Sequence, residues 1–204
     1  MSTSTVTGTG MSECERAGRE AGLAAGLALA LSGTAVAATA PGPYAAVPAA
    51  GLAEDAAVLR HRLADPDGIV FLECPGDRPA DAPGLAEVGS LLAAVRLGVL
   101  RTVLDQVVEH LSGRFSGDEP LIRKQLITGS VADVMAGLEM LREYASTRPG
   151  QDALADIHNR IDDLGWEVAK LYGAEGYLAE GAGRVLYVSS MVAGTWVPRE
   201  GVPQ

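Results

Sequence analysis

From Val88 to Leu111 apolar side chains recur without a gap: Val88, Leu91, Leu92, Val95, Val99, Val103, Val107 and Leu111. Steps of three and four residues put them on one face of a helix about six turns long. Leu121, Ile122, Leu126, Ile127, Val131, Val134, Leu138 and Leu141 mark a second such face, ended by Arg148-Pro149-Gly150. Leu154, Ile157, Ile161, Leu164, Val168 and Leu171 mark a third, with Gly173 as its C-terminal stop. A shorter helix is expected from Gly183 to Val192. Long amphipathic helices with short connections must bury their stripes against one another, so the pattern predicts an antiparallel four-helix bundle. The break at Ser116–Pro120 carries helix-start chemistry, with Ser116 or Asp118 as cap and Pro120 in the first turn.

The first 84 residues read differently. Residues 1–10, mostly Ser, Thr and Gly, are expected to be disordered. Residues 11–31 predict an Ala- and Leu-rich helix whose glycines (Gly18, Gly22, Gly26) demand close packing. Residues 33–50 contain three prolines and predict a loop, and residues 51–63 a short helix. Gly68–Cys74 (GIVFLEC) is the strand candidate, β-branched and bounded by turn residues. Residues 75–84 read as a linker. The expected organisation is a disordered start (1–10), a helical Ala-rich extension with its linker (11–84) and a helical bundle (85–204). The fold class is mainly α.

Composition narrows the function classes. Net charge is -10, and nucleic acid or an anionic membrane surface would need clustered Lys and Arg. With 48% hydrophobic residues and only 4% aromatic, the core must be aliphatic. Cys14 and Cys74 are far apart, and His61, His110 and His158 lack ligand spacing, so no metal is expected. Two unpaired thiols fit a cytoplasmic protein. The apolar stretch Ala21–Ala37 ends in small residues as a signal peptide does. The segment before it carries both signs of charge rather than a basic run, and the stretch falls short of the ~20 residues needed to span a bilayer. The Ala- and Leu-rich helix faces exceed what one bundle hides, which predicts self-association.

The bundle half resembles the C-terminal helical domain of the acyl-CoA dehydrogenase family. Leu104, Asp105, Glu109, His110, Arg114, Pro120, Leu121, Gln125, Ala132 and Asp133 follow that family's flavin-contacting helix pair without a gap. Lys170, Gly173, Ala174, Gly176, Tyr177, Leu178, Leu186 and Tyr187 follow its glycine turn and the helix after it. The resemblance covers about residues 85–195. It implies that Arg114 and Gln125 contact FAD held mainly by a neighbouring subunit, the guanidinium on a pyrophosphate oxygen and the amide bridging adenylate groups. The residues themselves equally fit a solvated helix-end cation and an exposed helix amide.

The departures from that pattern are informative. The turn after the arginine has become Gly117-Asp118, which brings a carboxylate toward the flavin phosphates. The glutamine before the glycine pair is Lys170, the second glycine is Ala174, and the aromatic after it is Glu175. The family's base is a glutamate in an EGT-like motif. The nearest match here is Ala193-Gly194-Thr195, and a gapless alignment offers Val197; neither accepts a proton. Glu200 would serve only if the tail folds back. Glu87 lies one residue from an alternative base position, which is about 100° around a helix. Residues 33–84 are too short to supply the family's β-rich middle domain.

The resemblance implies an acyl-CoA dehydrogenase-like protein acting on an acyl-type or secondary-metabolite substrate, with FAD bound only alongside a partner subunit. The partner would be a full-length flavoprotein or further copies of this chain. A flavin-free cyclase or isomerase on a polyketide-like substrate is the alternative, with Glu175, Tyr177 and His110 as its catalytic candidates and Arg114 beside them. A scaffold or ligand-binding protein without catalysis is the third.

Overall fold

The computed structural model describes residues 8–53, 55–75, 82–147, 149–177 and 181–198. Helices α1 (Gly8–Ala21), α2 (Leu23–Ala30) and α3 (Val36–Thr39) lead into strands β1 (Tyr44–Pro48), β2 (Val58–Leu59) and β3 (Ile69–Glu73). The long helix α4 (Leu85–Ser112) follows, then a small hairpin of β4 (Phe115–Ser116) and β5 (Glu119–Pro120). Helices α5 (Gln125–Ser146), α6 (Gln151–Leu171) and α7 (Ala182–Trp196) complete the chain. The protein is mainly helical, and α4 to α7 form the four-helix bundle that the periodicity predicts.

Relative directions follow from the contacts. Gly89 meets His158 near the start of α4, and His110 meets Tyr172 near its end, so α4 and α6 run parallel. Arg96 meets Ser189, and Gly89 approaches Val197, so α7 runs antiparallel to α4. One apolar cluster fills the α4–α5–α6 side with Leu104, Val107, Leu138, Leu141 and Ile161. A second joins α1, α2 and the sheet to α4 and α7 through Leu27, Ile69, Leu92, Val192 and Trp196.

The N-terminal half departs from expectation in four places. The helix begins at Gly8, inside the stretch expected to be disordered; residues 1–7 lie outside the described residues. The single helix expected over 11–31 is two, because Gly22 takes φ 86, a left-handed conformation that ends α1 and redirects the chain. β1 forms within the expected loop, and residues 51–63 make turns and β2 in place of a helix. The cause is β3. Its Ile-Val-Phe-Leu run emerges as the strand the sequence predicts and takes an antiparallel partner on each edge, in the order β1-β3-β2. Pairing and burial override the alanine-rich helix propensity.

Two contacts fix the N-terminal elements onto the bundle. A Cβ at Gly18 would sit 2.3 Å from the Val95 carbonyl oxygen, and one at Gly98 2.0 Å from that of Glu15. The backbones of α1 and α4 therefore touch, which explains glycine in both helices. On the other side Ala46 of β1 donates its N–H to Thr195 Oγ1 (3.0 Å), and its carbonyl accepts from Trp196 Nε1 (2.8 Å). The end of α7 thus satisfies a strand edge that would otherwise be bare.

The bundle's second connection also differs from expectation. Gly117, at φ 67, turns the β4–β5 hairpin, and Leu121–Arg123 form a 3-10 turn. Helix α5 begins only at Gln125, with Lys124 at its N-cap position and no side-chain cap. Ser116 and Asp118 belong to the hairpin rather than capping a helix. Among the described residues no helix is long and apolar enough to cross a membrane, and α2, within the signal-like stretch, packs Leu23, Leu27 and Ala30 into the core.

Candidate functional site

Arg96 interrupts the apolar run LLAAVRLGVL on α4, and only 1% of it is exposed. A guanidinium so buried needs partners for its charge and its N–H groups. Nε donates to Ser189 Oγ of α7 (3.0 Å), and Nη1 to His158 Nδ1 (2.8 Å) and the His158 carbonyl oxygen (3.2 Å) of α6. Nη2 donates to Asp162 Oδ1 in a short ion pair. Ser190 Oγ donates to the other carboxylate oxygen of Asp162 (3.1 Å). His158 Nε2 lies 3.0 Å from the Gly89 carbonyl oxygen. Arginine cannot accept and a carbonyl cannot donate, so these neighbours select the neutral imidazole with its proton on Nε2.

This network forms the polar wall of a cleft of about 450 Å³ between α4, α6 and α7. Leu100, Ile161, Ala169 and Leu186 make apolar walls, and Trp166 and Tyr187 stand half-exposed among the lining residues. Leu63 and Gly176 close two further sides. Arg184 lines the cleft while its Nη1 donates to Asp67 Oδ2 and to the Leu63 carbonyl oxygen. An apolar recess with a few convergent polar groups is the usual form of a small-molecule site.

None of the catalytic or cofactor-binding candidates named from the sequence belongs to this network; His158, considered there only as a metal ligand, does. His110, half-buried in the last turn of α4, packs its ring on Tyr172 with centroids 4.9 Å apart and planes tilted 39°. Glu175 and Tyr177 sit in the 3-10 turn Gly173–Tyr177 that continues from α6, which brings their backbone to the same end of the bundle as His110. Their side chains lie outside the described structure, as do Leu178 and Glu200. Arg114 is exposed after α4, and its carbonyl accepts from the Leu121 N–H (2.7 Å). Gln125 is exposed as the first residue of α5. From Arg96 to the end of α4 is roughly 24 Å at 1.5 Å per residue, so Arg114 and the cleft occupy different parts of the molecule.

The EGT-like segment has a structural role. Ala193 is wholly buried and Val197 is 1% exposed. Thr195 Oγ1 donates to the Val192 carbonyl (2.9 Å) while accepting from Ala46. Glu87 is exposed in the first turn of α4. The cleft residues had sequence signals that periodicity did not weigh: one arginine within ten otherwise uncharged residues, and His158 and Asp162 spaced i,i+4 on one helix face. Among the described residues no three His, Cys, Asp or Glu side chains group as a metal site.

FAD is the cofactor implied by the resemblance to acyl-CoA dehydrogenases. Arg114 and Gln125, the residues that resemblance assigns to it, are both exposed. The first turn of α5 carries no acidic residue and no side-chain cap, so its free N–H groups favour phosphate.

Comparisons with known proteins agree with the bundle. Three solved structures are among those similar to this chain. A variant of the Tcur3481-Tcur3483 steroid ACAD is 21% identical with a TM-score of 0.52, covering 70% of this chain and 45% of that one. An FAD-dependent dehydrogenase is 18% identical with a TM-score of 0.50, covering 71% and 48%. Butyryl-CoA dehydrogenase from Megasphaera elsdenii is 16% identical with a TM-score of 0.49, covering 76% and 46%. The chain thus spans less than half the length of each. No curated protein matches it. Residues 89–196 match the model of the acyl-CoA dehydrogenase C-terminal domain, and the chain belongs to the acyl-CoA dehydrogenase family.

Proposed function

We propose that this chain is a companion subunit of the acyl-CoA dehydrogenase type. It acts on an acyl-type or secondary-metabolite substrate beside a full-length flavoprotein subunit, whose FAD site it completes. The observation that carries this reading is that Arg114, just after α4, and Gln125, at the uncapped start of α5, are both exposed. Arg114 would pair with a pyrophosphate oxygen, and Gln125 would hold adenylate groups. Exposed Phe115 (63%) and Leu126 (85%) flank the two residues and offer apolar surface to a partner. FAD, when bound, supplies the hydride acceptor. The proton acceptor falls to the partner, because Ala193 is a buried methyl group and Val197 is equally inert.

The chain purified alone tests this through its visible absorbance before and after addition of FAD. The expected protein is colourless and takes up no flavin. A bound-flavin spectrum from the lone chain would contradict the companion role and make it an autonomous flavoprotein.

One observation favours a second reading, a flavin-free cyclase or isomerase. Gly176 lines the cleft, so the turn bearing Glu175 and Tyr177 borders an apolar recess large enough for a small polyketide-like molecule. Under that reading Glu175→Gln abolishes turnover by the lone chain while its helical content is unchanged.

A further inference from the structure

We propose that the cleft between α4, α6 and α7 is a binding site for an apolar carboxylate, its chain against the aliphatic walls and its head group on Arg62. The site is separate from the Arg114–Gln125 edge, and the proposal does not depend on the flavin reading.

Charge is the first argument. The protein carries a net -10 and repels anions over most of its surface. Among the described residues the cleft reverses that balance: Arg62, Arg96 and Arg184 line it against one carboxylate, Asp162. Two of the three cations are committed. Arg96 is held by Asp162, His158 and Ser189, and Arg184 by Asp67 and the Leu63 carbonyl. Arg62 is exposed, and among the described residues no carboxylate pairs with it. Counting Asp67 as well, three arginines face two aspartates among the described residues, and Arg62 is the arginine that none of those aspartates pairs. A guanidinium receives a carboxylate through two parallel N–H donors, and a neutral polar group gains much less from it.

Shape is the second argument. About 450 Å³ lies within the range of small-molecule sites, and most of the side chains around it are apolar. Asp162 and Ser190 satisfy each other on the polar wall, so an alkyl chain can pass without stripping an unpaired group of water.

The chain carries its own reporter. Of its two tryptophans, Trp166 lines the cleft with 56% of its surface exposed, and Trp196 is wholly buried with its Nε1 bonded to Ala46. Decanoate is the probe. Titrated into the purified chain, it should give a saturable blue shift of tryptophan emission. Trp166→Phe should remove the shift while calorimetry still records binding. Arg62→Gln, an exposed substitution, should weaken decanoate at least threefold. Decanol, which has the same chain and no charge, should bind the native protein and Arg62→Gln equally. Absence of a saturable shift, or equal decanoate affinity in Arg62→Gln and the native chain, would overturn the proposal.

Discussion

Removing the carboxylate of Asp162 should destabilise the protein far more than its 26% exposed side chain implies. The reason lies in Arg96, 1% exposed and hydrogen-bonded to α6 and α7 at once. In Asp162→Ala the guanidinium keeps its neutral partners, Ser189 and His158, and loses the carboxylate bonded to Nη2. His158 cannot compensate, because its Nδ1 accepts from Arg96 only in the neutral form. Truncating one member of a buried pair typically costs about 3–5 kcal/mol, since a desolvated charge is left behind. For a chain of this size each kcal/mol lowers Tm by roughly 2–4 °C, so the expected fall is about 6–20 °C. Replacing both groups, Arg96→Met with Asp162→Leu, removes the stranded charge and should recover most of the loss. Urea unfolding of the native chain, Arg96→Met, Asp162→Leu and the double variant, followed by circular dichroism, closes the cycle. A loss under about 1 kcal/mol in Asp162→Ala, or a double variant as unstable as the sum of the singles, would refute the reasoning.

Further outcomes follow from the packing and the buried thiol. Gly98→Ala places a methyl group 2.0 Å from the Glu15 carbonyl oxygen and must push α1 off α4, at a cost of about 1–3 kcal/mol by thermal unfolding. Gly129→Ala, on α5 with nothing within 4 Å of the new Cβ, should instead stabilise by roughly 0.5–1 kcal/mol. Burial, reinforced by Glu13, pushes the Cys14 thiol from 9.0 up to about 11. The unfolded chain ionises that thiol first, so unfolding releases a proton above about pH 9 and stability falls as pH rises toward 11. Cys14→Ala should flatten that decline, seen as a smaller shift of the urea midpoint between pH 8 and about pH 10.5.

The bundle was legible because its signal is local and repeated. Val88 to Leu111 and Leu154 to Leu171 advertise a face at every turn, and α4 and α6 appear within a few residues of the expected bounds. The sheet was half legible. β3 shows in its β-branched run, whereas β1 and β2 are strands only because β3 needs neighbours and α7 supplies Thr195 and Trp196. That information lies some 150 residues away in sequence. Ala193, the nearest match to the family's base position in the sequence, is buried in the core. The Arg96 network was not legible, because its members come from three helices and meet only after the bundle closes. A periodic reading counts Arg96 as one polar residue on an apolar helix and cannot see what satisfies it.

The companion role is tested most directly by the flavin content of the complex captured from the native host through a tag on this chain. The account predicts flavin absorption bands in the captured complex, from a partner that carries the cofactor. It also predicts a lower flavin-to-chain ratio when Arg114→Ala and Gln125→Ala are combined. A colourless assembly of this chain alone, or flavin content indifferent to both substitutions, would contradict it.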